Sequence, residues 1–291
     1  MRILIVGCGY IGTALGAEFS LAGHEVFGLR RSATVSPGIT PVIGDITQPA
    51  TLATLPRDFD WVVNCISSSH GGADAYRQTY LEGTRNLLAH FADAPPKKFA
   101  YTSSTGVYGQ DDGSLVKESS PTEPATDTGK ILVETEKLLL AAVVEKKFPA
   151  VILRVAGIYG PERGHWFKQF LKGEAQMEGD GSRPLNMIHR DDVVGGVIAA
   201  LKSGRAGEVY NACDDEPVTQ LNFFRWLAES LGKPMPPSVP ADAVETRKRG
   251  VTNKKISNRK LKMELGYQFK YPNFRKGYTA EMQRLMDAGV I

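Results

Sequence analysis

Gly7, Gly9 and Gly12 stand in the spacing G-x-G-x-x-G, directly after the apolar run 3–6 and at the start of a helical pattern. Each glycine in that arrangement has a physical task. The first permits a tight turn, the second lets backbone approach a pyrophosphate, and the third lets helix and strand pack closely. The amides around Tyr10 and Ile11 then open the helix, and its positive end faces the phosphates. Further on, Gly28-Leu29-Arg30-Arg31-Ser32 closes a second apolar run, roughly 20 positions past the glycines. An NAD site places an acidic residue there for the ribose hydroxyls, and that charge would repel a 2′-phosphate. Arg30 and Arg31 offer guanidinium donors instead, which suit NADP, with NAD still possible; the alternative is that both are solvated surface charges.

The elements that must position these residues follow from periodicity. Short apolar runs at 3–6, 25–29, 41–46, 61–66, 98–103 and 150–155 read as strands. Helical spacing over 11–21, 74–92 and 129–146 alternates with them, which predicts an α/β fold with a doubly wound parallel Rossmann sheet and right-handed crossovers. After Gly160 the pattern loosens into a glycine-rich stretch with a short helix around 167–171. Helices are expected at 192–202 and 220–231, a proline-rich extended stretch at 232–243, and two short helices in 258–291. This divides the chain into a dinucleotide-binding part, 1–160, and a smaller irregular substrate lobe, 161–291, with elements returning to the sheet. A net charge of +3 is too near neutral to argue for nucleic acid, and no apolar run reaches membrane-spanning length. Cys8, Cys65 and Cys213 are odd in number and form no CxxC, so they read as reduced thiols of a cytoplasmic protein. No His, Cys or carboxylate cluster has metal-ligand spacing.

These segments together resemble the extended short-chain dehydrogenase/reductase superfamily, in its NAD-dependent epimerase/dehydratase branch. The resemblance rests on Gly44-Asp45-Ile46, Val63-Asn64-Cys65-Ile66, Gly83-Thr84-Arg85-Asn86-Leu87-Leu88 and Thr102-Ser103-Ser104-Thr105-Gly106-Val107-Tyr108-Gly109. Leu153-Arg154, Ile158-Tyr159-Gly160-Pro161 and Ile188-His189-Arg190-Asp191-Asp192-Val193 extend it across nearly the whole chain. It implies that Asp45 and Ile46 meet the adenine and that Asn64, Cys65 and Ile66 line the cofactor. It also implies chemistry by Ser or Thr with a Tyr-x-x-x-Lys pair, in which the lysine ammonium lowers the phenol's ionisation from about pH 10 so that it can move a substrate proton.

The pattern breaks at the phenol. Ser104 takes the serine position and Lys130 fits the lysine, which in the family also bonds the nicotinamide ribose. Four residues earlier stands Thr126. The glycine motif is atypical too, since this branch spaces its first two glycines one residue wider. The chain thus reads as an atypical member. Tyr108 is a candidate substitute phenol, although the family uses that residue mainly as pocket wall; Asp127, His165 and His189 are weaker candidates. The basic run from Arg247 to Lys262 reads either as solvated surface or as a mouth for an anionic, sugar-nucleotide-like substrate, with Arg163 and Arg183 contributing. The expected function is an NADP-preferring oxidoreductase, epimerase or dehydratase working by hydride transfer. The alternative is an NADP(H)-binding redox sensor that has lost the phenol. By resemblance, a homodimer would form through the helices around 74–92 and 130–146.

Overall fold

The structure, a computed structural model, describes residues 1–32, 36–68, 71–240 and 252–291. Ile3, Leu4, Ile5 and Val6 are each at most 1% exposed, so the first strand is covered on both faces. Burying each such side chain contributes about 1.5–3 kcal/mol, which drives this strand to the middle of a sheet. The strands are β1 (Arg2–Val6), β2 (Glu25–Arg30), β3 (Thr40–Ile43), β4 (Trp61–Asn64), β5 (Lys98–Ser104), β6 (Ala150–Val155) and β7 (Val209–Ala212). They lie in the order β7-β6-β5-β4-β1-β2-β3, every neighbouring pair parallel. The doubly wound Rossmann sheet expected from the sequence is therefore present. Strand order reverses between β1 and β4, and the crevice for a ligand opens there at the carboxyl ends.

Helix α1 (Tyr10–Leu21) packs with α5 (Arg190–Ser203). A composite helix, α2, runs through Ala73–Tyr76, Arg77–Glu82 and Gly83–His90, and packs with α3 (Asp127–Lys146). The middle stretch of α2 is a π-helix, one residue per turn wider than its flanks. The remaining helices are α4 (His165–Lys172), α6 (Gln220–Leu231), α7 (Arg259–Leu265) and α8 (Phe274–Asp287). Residues beyond 160 feed two cores. Val193, Val197, Leu201, Tyr210 and Leu261 join the core around the sheet. Tyr159, Phe167, Phe170, Phe223, Phe224, Phe274 and Tyr278 form a separate aromatic core in the second part.

β7 has no counterpart among the strands expected from the sequence. Its apolar run is interrupted by Asn211, which is fully buried because it serves a polar network under the rim of the sheet. In that network Arg154 on β6 donates from Nε and Nη2 to the Glu136 carboxylate of α3, the shortest contact being 2.7 Å. Ser103 on β5 donates to the same carboxylate at 2.6 Å. Arg154 also donates from Nη1 to the Tyr108 oxygen, and Tyr108 donates in turn to Asn211 Oδ1, both at 2.8 Å. Lys254 adds a buried ammonium that donates to the Tyr108 carbonyl at 2.8 Å, and burial pushes it down to about 8.

Asp214, just past β7, is 2% exposed. One of its oxygens accepts the Glu216 N–H, and the other has no hydrogen-bond partner among the described residues. Burial first, then the neighbouring Glu216, Asp215 and Asp192, hold this carboxyl well above the usual carboxylate range.

Two expectations follow for stability. Glu136→Ala leaves the Arg154 guanidinium buried without its counter-charge and should cost about 3–5 kcal/mol in urea unfolding at pH 7, whereas Glu136→Leu with Arg154→Met should cost much less. A loss under 1 kcal/mol in the single variant would remove the pair from that role. For Asp214 the folded group ionises higher than the unfolded one, so its contribution is complete at low pH and is lost as pH rises. Asp214→Asn should therefore raise Tm relative to the natural chain at pH 8, with the gain shrinking toward pH 4; a gain independent of pH would refute the buried acid.

Candidate dinucleotide cleft

The crevice between β1 and β4 is a cleft of about 720 Å³. Its floor begins at the glycine loop. Gly7 has φ of +94°, and a Cβ there would stand 2.8 Å from the Ile66 Cα. A Cβ on Gly12 would stand 2.1 Å from the Gly7 carbonyl oxygen, so both positions exclude any larger residue. Gly9 differs: nothing lies within 4 Å of the place its Cβ would occupy, so a bare backbone faces open cleft. Gly9 is also the N-cap of α1 and gives no side-chain cap, which leaves the amides of the first turn turned to whatever fills that space. A cradle of that shape fits a pyrophosphate.

Most residues expected at a cofactor are brought together here. Gly7, Gly9, Tyr10, Ile11, Arg30, Arg31, Asp45, Ile46, Cys65 and Ile66 line the cleft, as do Ser104 and Arg163. Gly12 lies beneath the helix start rather than on the cleft wall. Asp45 accepts from both the Thr47 amide and hydroxyl through Oδ1, 2.9 and 2.8 Å away. Asn86 of α2 donates to the Ile46 carbonyl at 2.7 Å and fixes the loop from below. Arg163 lies 5.1 Å from the Tyr10 ring centre, with Arg190 at 5.5 Å. The Tyr10 hydroxyl donates to the Pro161 carbonyl. Among the cleft thiols, burial pushes Cys8 up to about 11 and pushes Cys65 up as well, which disfavours a nucleophilic thiolate at either.

Other expected site residues are not brought to the cleft. Asn64 is fully buried; it donates to Thr84 Oγ1 and accepts the Ile66 amide, and so supports the loop without lining it. Tyr108 is fully buried in the Arg154–Asn211 network, and burial raises its phenol, so it is no proton donor at the cleft. Lys130 has an exposed side chain paired with Asp127 at 3.2 Å. The cleft-lining residue of α3 is Leu132. Positions two apart on an α-helix point about 200° apart, so a helix that turns Leu132 inward turns Lys130 outward. One turn before Leu132 on the same face is Thr128, again no phenol. Thr126 is the N-cap of α3, its hydroxyl accepting the Gly129 amide at 3.2 Å, a task a tyrosine cannot perform.

Arg183 is held against Glu178 at 2.8 Å inside the second part of the chain and does not reach the cleft. His189 is 3% exposed; its Nδ1 accepts the Asp191 amide at the start of α5, and burial pushes it down to about 4. His165 opens α4 on the surface. Arg247 lies outside the described residues. The described part of the basic run is largely committed within the protein: Lys254 to the Tyr108 carbonyl, Lys260 to Glu208 and Lys262 to Asp215. None of the described residues of the run lines the cleft. The cleft also carries residues that the sequence reading missed, among them Ser68, Gln78, Thr79, Tyr80 and Thr102. Gln78, Thr79 and Tyr80 are consecutive, and the π-helical stretch lets all three face the cleft. A periodicity of 3.6 gives no warning of that.

Residues 3–213 match the family model described as the NAD dependent epimerase/dehydratase family. Protein YeeZ of Escherichia coli is 28% identical over 289 residues, covering 94% of this chain and 97% of that protein. An undecaprenol-diphosphate-linked N-acetylglucosaminyl 4-epimerase of Escherichia coli is 28% identical over 250 residues, covering 81% and 74%. Among solved structures, DesIV of Streptomyces venezuelae, a dTDP-glucose 4,6-dehydratase with NAD bound, superposes with a TM-score of 0.84. It is 26% identical, and the match covers 99% of this chain and 97% of that one. With its parallel sheet, its glycine loop and its match over most of the length, this chain belongs to the NAD-dependent epimerase/dehydratase family of extended short-chain dehydrogenases/reductases.

Proposed function

We propose that this protein is an NADP-preferring oxidoreductase acting by hydride transfer on a small, polar, anionic substrate of the sugar-nucleotide kind. The carrying observation is that Arg30, Arg31 and Ser32 all line the cleft at the end of β2. No acidic residue stands in that segment to claim the ribose hydroxyls. The glycine loop and the open first turn of α1 would hold the pyrophosphate, and Asp45 with Ile46 the adenine. Segment 65–68 and residues 102–104 would flank the nicotinamide. The bound dinucleotide supplies the hydride; the chain's residues orient it and exclude water. Arg163, exposed and also lining the cleft, is placed to meet a negative group on the substrate. The sugar-nucleotide relatives support that substrate class. No helix among the described residues is long and apolar enough to cross a membrane.

A second reading, an NADP(H)-binding sensor, draws on a specific observation: α3 turns Leu132 to the cleft, and neither a phenol nor an ammonium of that helix lines it. Turnover of any substrate separates the two readings.

Fluorescence titration tests the cofactor assignment. The natural chain should bind NADPH at least tenfold more tightly than NADH, and Arg30→Asp with Arg31→Asp should abolish or invert that ratio, since charge-assisted hydrogen bonds contribute about 1.5–3 kcal/mol each. Equal affinities in the natural chain would sink it. Lys130→Ala should change NADPH affinity by less than about twofold, because an exposed ion pair contributes little; a tenfold loss would return Lys130 to the site.

A further inference from the structure

We propose that Gln78 and Thr79 form a second wall of the dinucleotide site and hold the ribose-phosphate that joins the pyrophosphate to the nicotinamide. The inference rests on the NADP reading above. The π-helical stretch of α2 carries the polar side chains of Arg77, Gln78, Thr79, Tyr80 and Glu82. Arg77 donates to Glu134 of α3 at 2.9 Å, and Glu82 accepts from Arg85 at 3.1 Å, both pairs on the outer surface. The Tyr80 oxygen accepts the Ser68 amide N–H at 3.3 Å. Gln78 and Thr79 line the cleft, and neither side chain has a hydrogen-bond partner among the described residues. The outward polar groups of the stretch are thus spent on the protein, and these two inward ones are not.

Their place along the cleft follows from what the rest of α2 touches. A Cβ on Gly83 would stand 2.5 Å from Ile46, and Asn86 donates to the Ile46 carbonyl, so that part of the helix closes the adenine side. Just before it, Tyr80 meets the segment leaving β4. Gln78 and Thr79 precede both contacts in the helix, which puts them past the adenine, toward the carboxyl end of β4. The π-helical stretch permits this placement. Three successive residues of an α-helix fan over about 200°. Wider turns narrow that fan, and such turns concentrate at functional sites.

The far side of the cleft creates the need for such a wall. α3 turns Leu132 to the cleft and leaves Lys130 exposed against Asp127, so no ammonium of that helix meets the nicotinamide ribose. A carboxamide offers two N–H donors and an acceptor, and a threonine hydroxyl offers one donor and an acceptor. That set matches phosphate oxygens, which only accept, together with ribose hydroxyls, which both give and accept. A ligand that fills the cleft displaces water from these groups and has to replace its hydrogen bonds. The ribose-phosphate does so, and Gln78 and Thr79 then take the place of the ammonium that α3 withholds.

The test is calorimetric titration of the full chain with NADPH, with 2′-phospho-ADP-ribose, which lacks only the nicotinamide, and with adenosine 2′,5′-bisphosphate, which ends at the first phosphate. Gln78→Leu with Thr79→Val keeps the size of both side chains and removes their hydrogen bonds. The double variant should lose about tenfold or more in affinity for NADPH and for 2′-phospho-ADP-ribose, since each lost hydrogen bond costs about 0.5–1.5 kcal/mol. Its affinity for adenosine 2′,5′-bisphosphate should stay within about twofold of the natural chain's, which also shows that the variant is folded. Unchanged NADPH affinity, an equal loss on all three ligands, or a loss on NADPH alone overturns the proposal. Failure of the natural chain to bind NADPH overturns the cofactor reading instead, and that failure is seen before any variant is made.

Discussion

The Arg154–Glu136 ion pair, with side chains only 7% and 3% exposed, is the contact on which the carboxyl rim of the sheet depends. Two charges removed from water are tolerated only when every remaining donor and acceptor finds a partner. That requirement recruits Ser103 from β5, Tyr108 from the loop after it, and Asn211 from β7. The Asn211 amide then donates to Glu118, and its side chain to the Ser257 carbonyl. A single buried charge pair thus ties α3, β5, β6, β7 and two distant loops together. The cleft lies directly above, and Ser104 and Val155, which line it, are the immediate neighbours of Ser103 and Arg154.

The same constraint explains why the candidate catalytic groups part company. Glu136 must face inward to reach Arg154, which sets the rotation of α3 about its axis. With that rotation set, Leu132, one turn earlier, also faces inward and Lys130 cannot. Tyr108 is likewise consumed: a phenol that accepts from Arg154 and donates to Asn211 has its one proton committed and none to give a substrate. Across the cleft, α2 is anchored separately, through Asn86 to the Ile46 carbonyl and Thr84 to Asn64. Its wide turn accommodates three consecutive side chains on one wall.

The cofactor end is built on a different principle. It contains little side-chain chemistry and much bare backbone. Gly7 and Gly12 are held by what a Cβ would strike, Gly9 by what it would fill. The side chains lining that end stand at strand termini, Arg30 and Arg31 at the end of β2 and Asp45 just past β3, where parallel strands end on one edge.

By itself the sequence determined six of the seven strands of the sheet and the glycine loop between β1 and α1. Both are local: a run such as Ile3-Leu4-Ile5-Val6 specifies a buried strand, and a glycine loop between strand and helix specifies its own turn. The segments of β1 to β6 were legible for that reason, and so were the cradle's Gly7, Gly9, Arg30 and Asp45. Tertiary structure alone decided which residues face one another. β7 was invisible because Asn211 breaks its apolar run to serve a residue 103 positions away. Lys130 and Leu132 were not separable on spacing, because the rotation of α3 is set by Arg154 on another strand. Tyr80 came to the cleft through a helical turn whose period no sequence pattern announces. Local propensity acts between neighbours in the chain, whereas helix rotation and buried charge pairing are settled between groups that become neighbours only after folding.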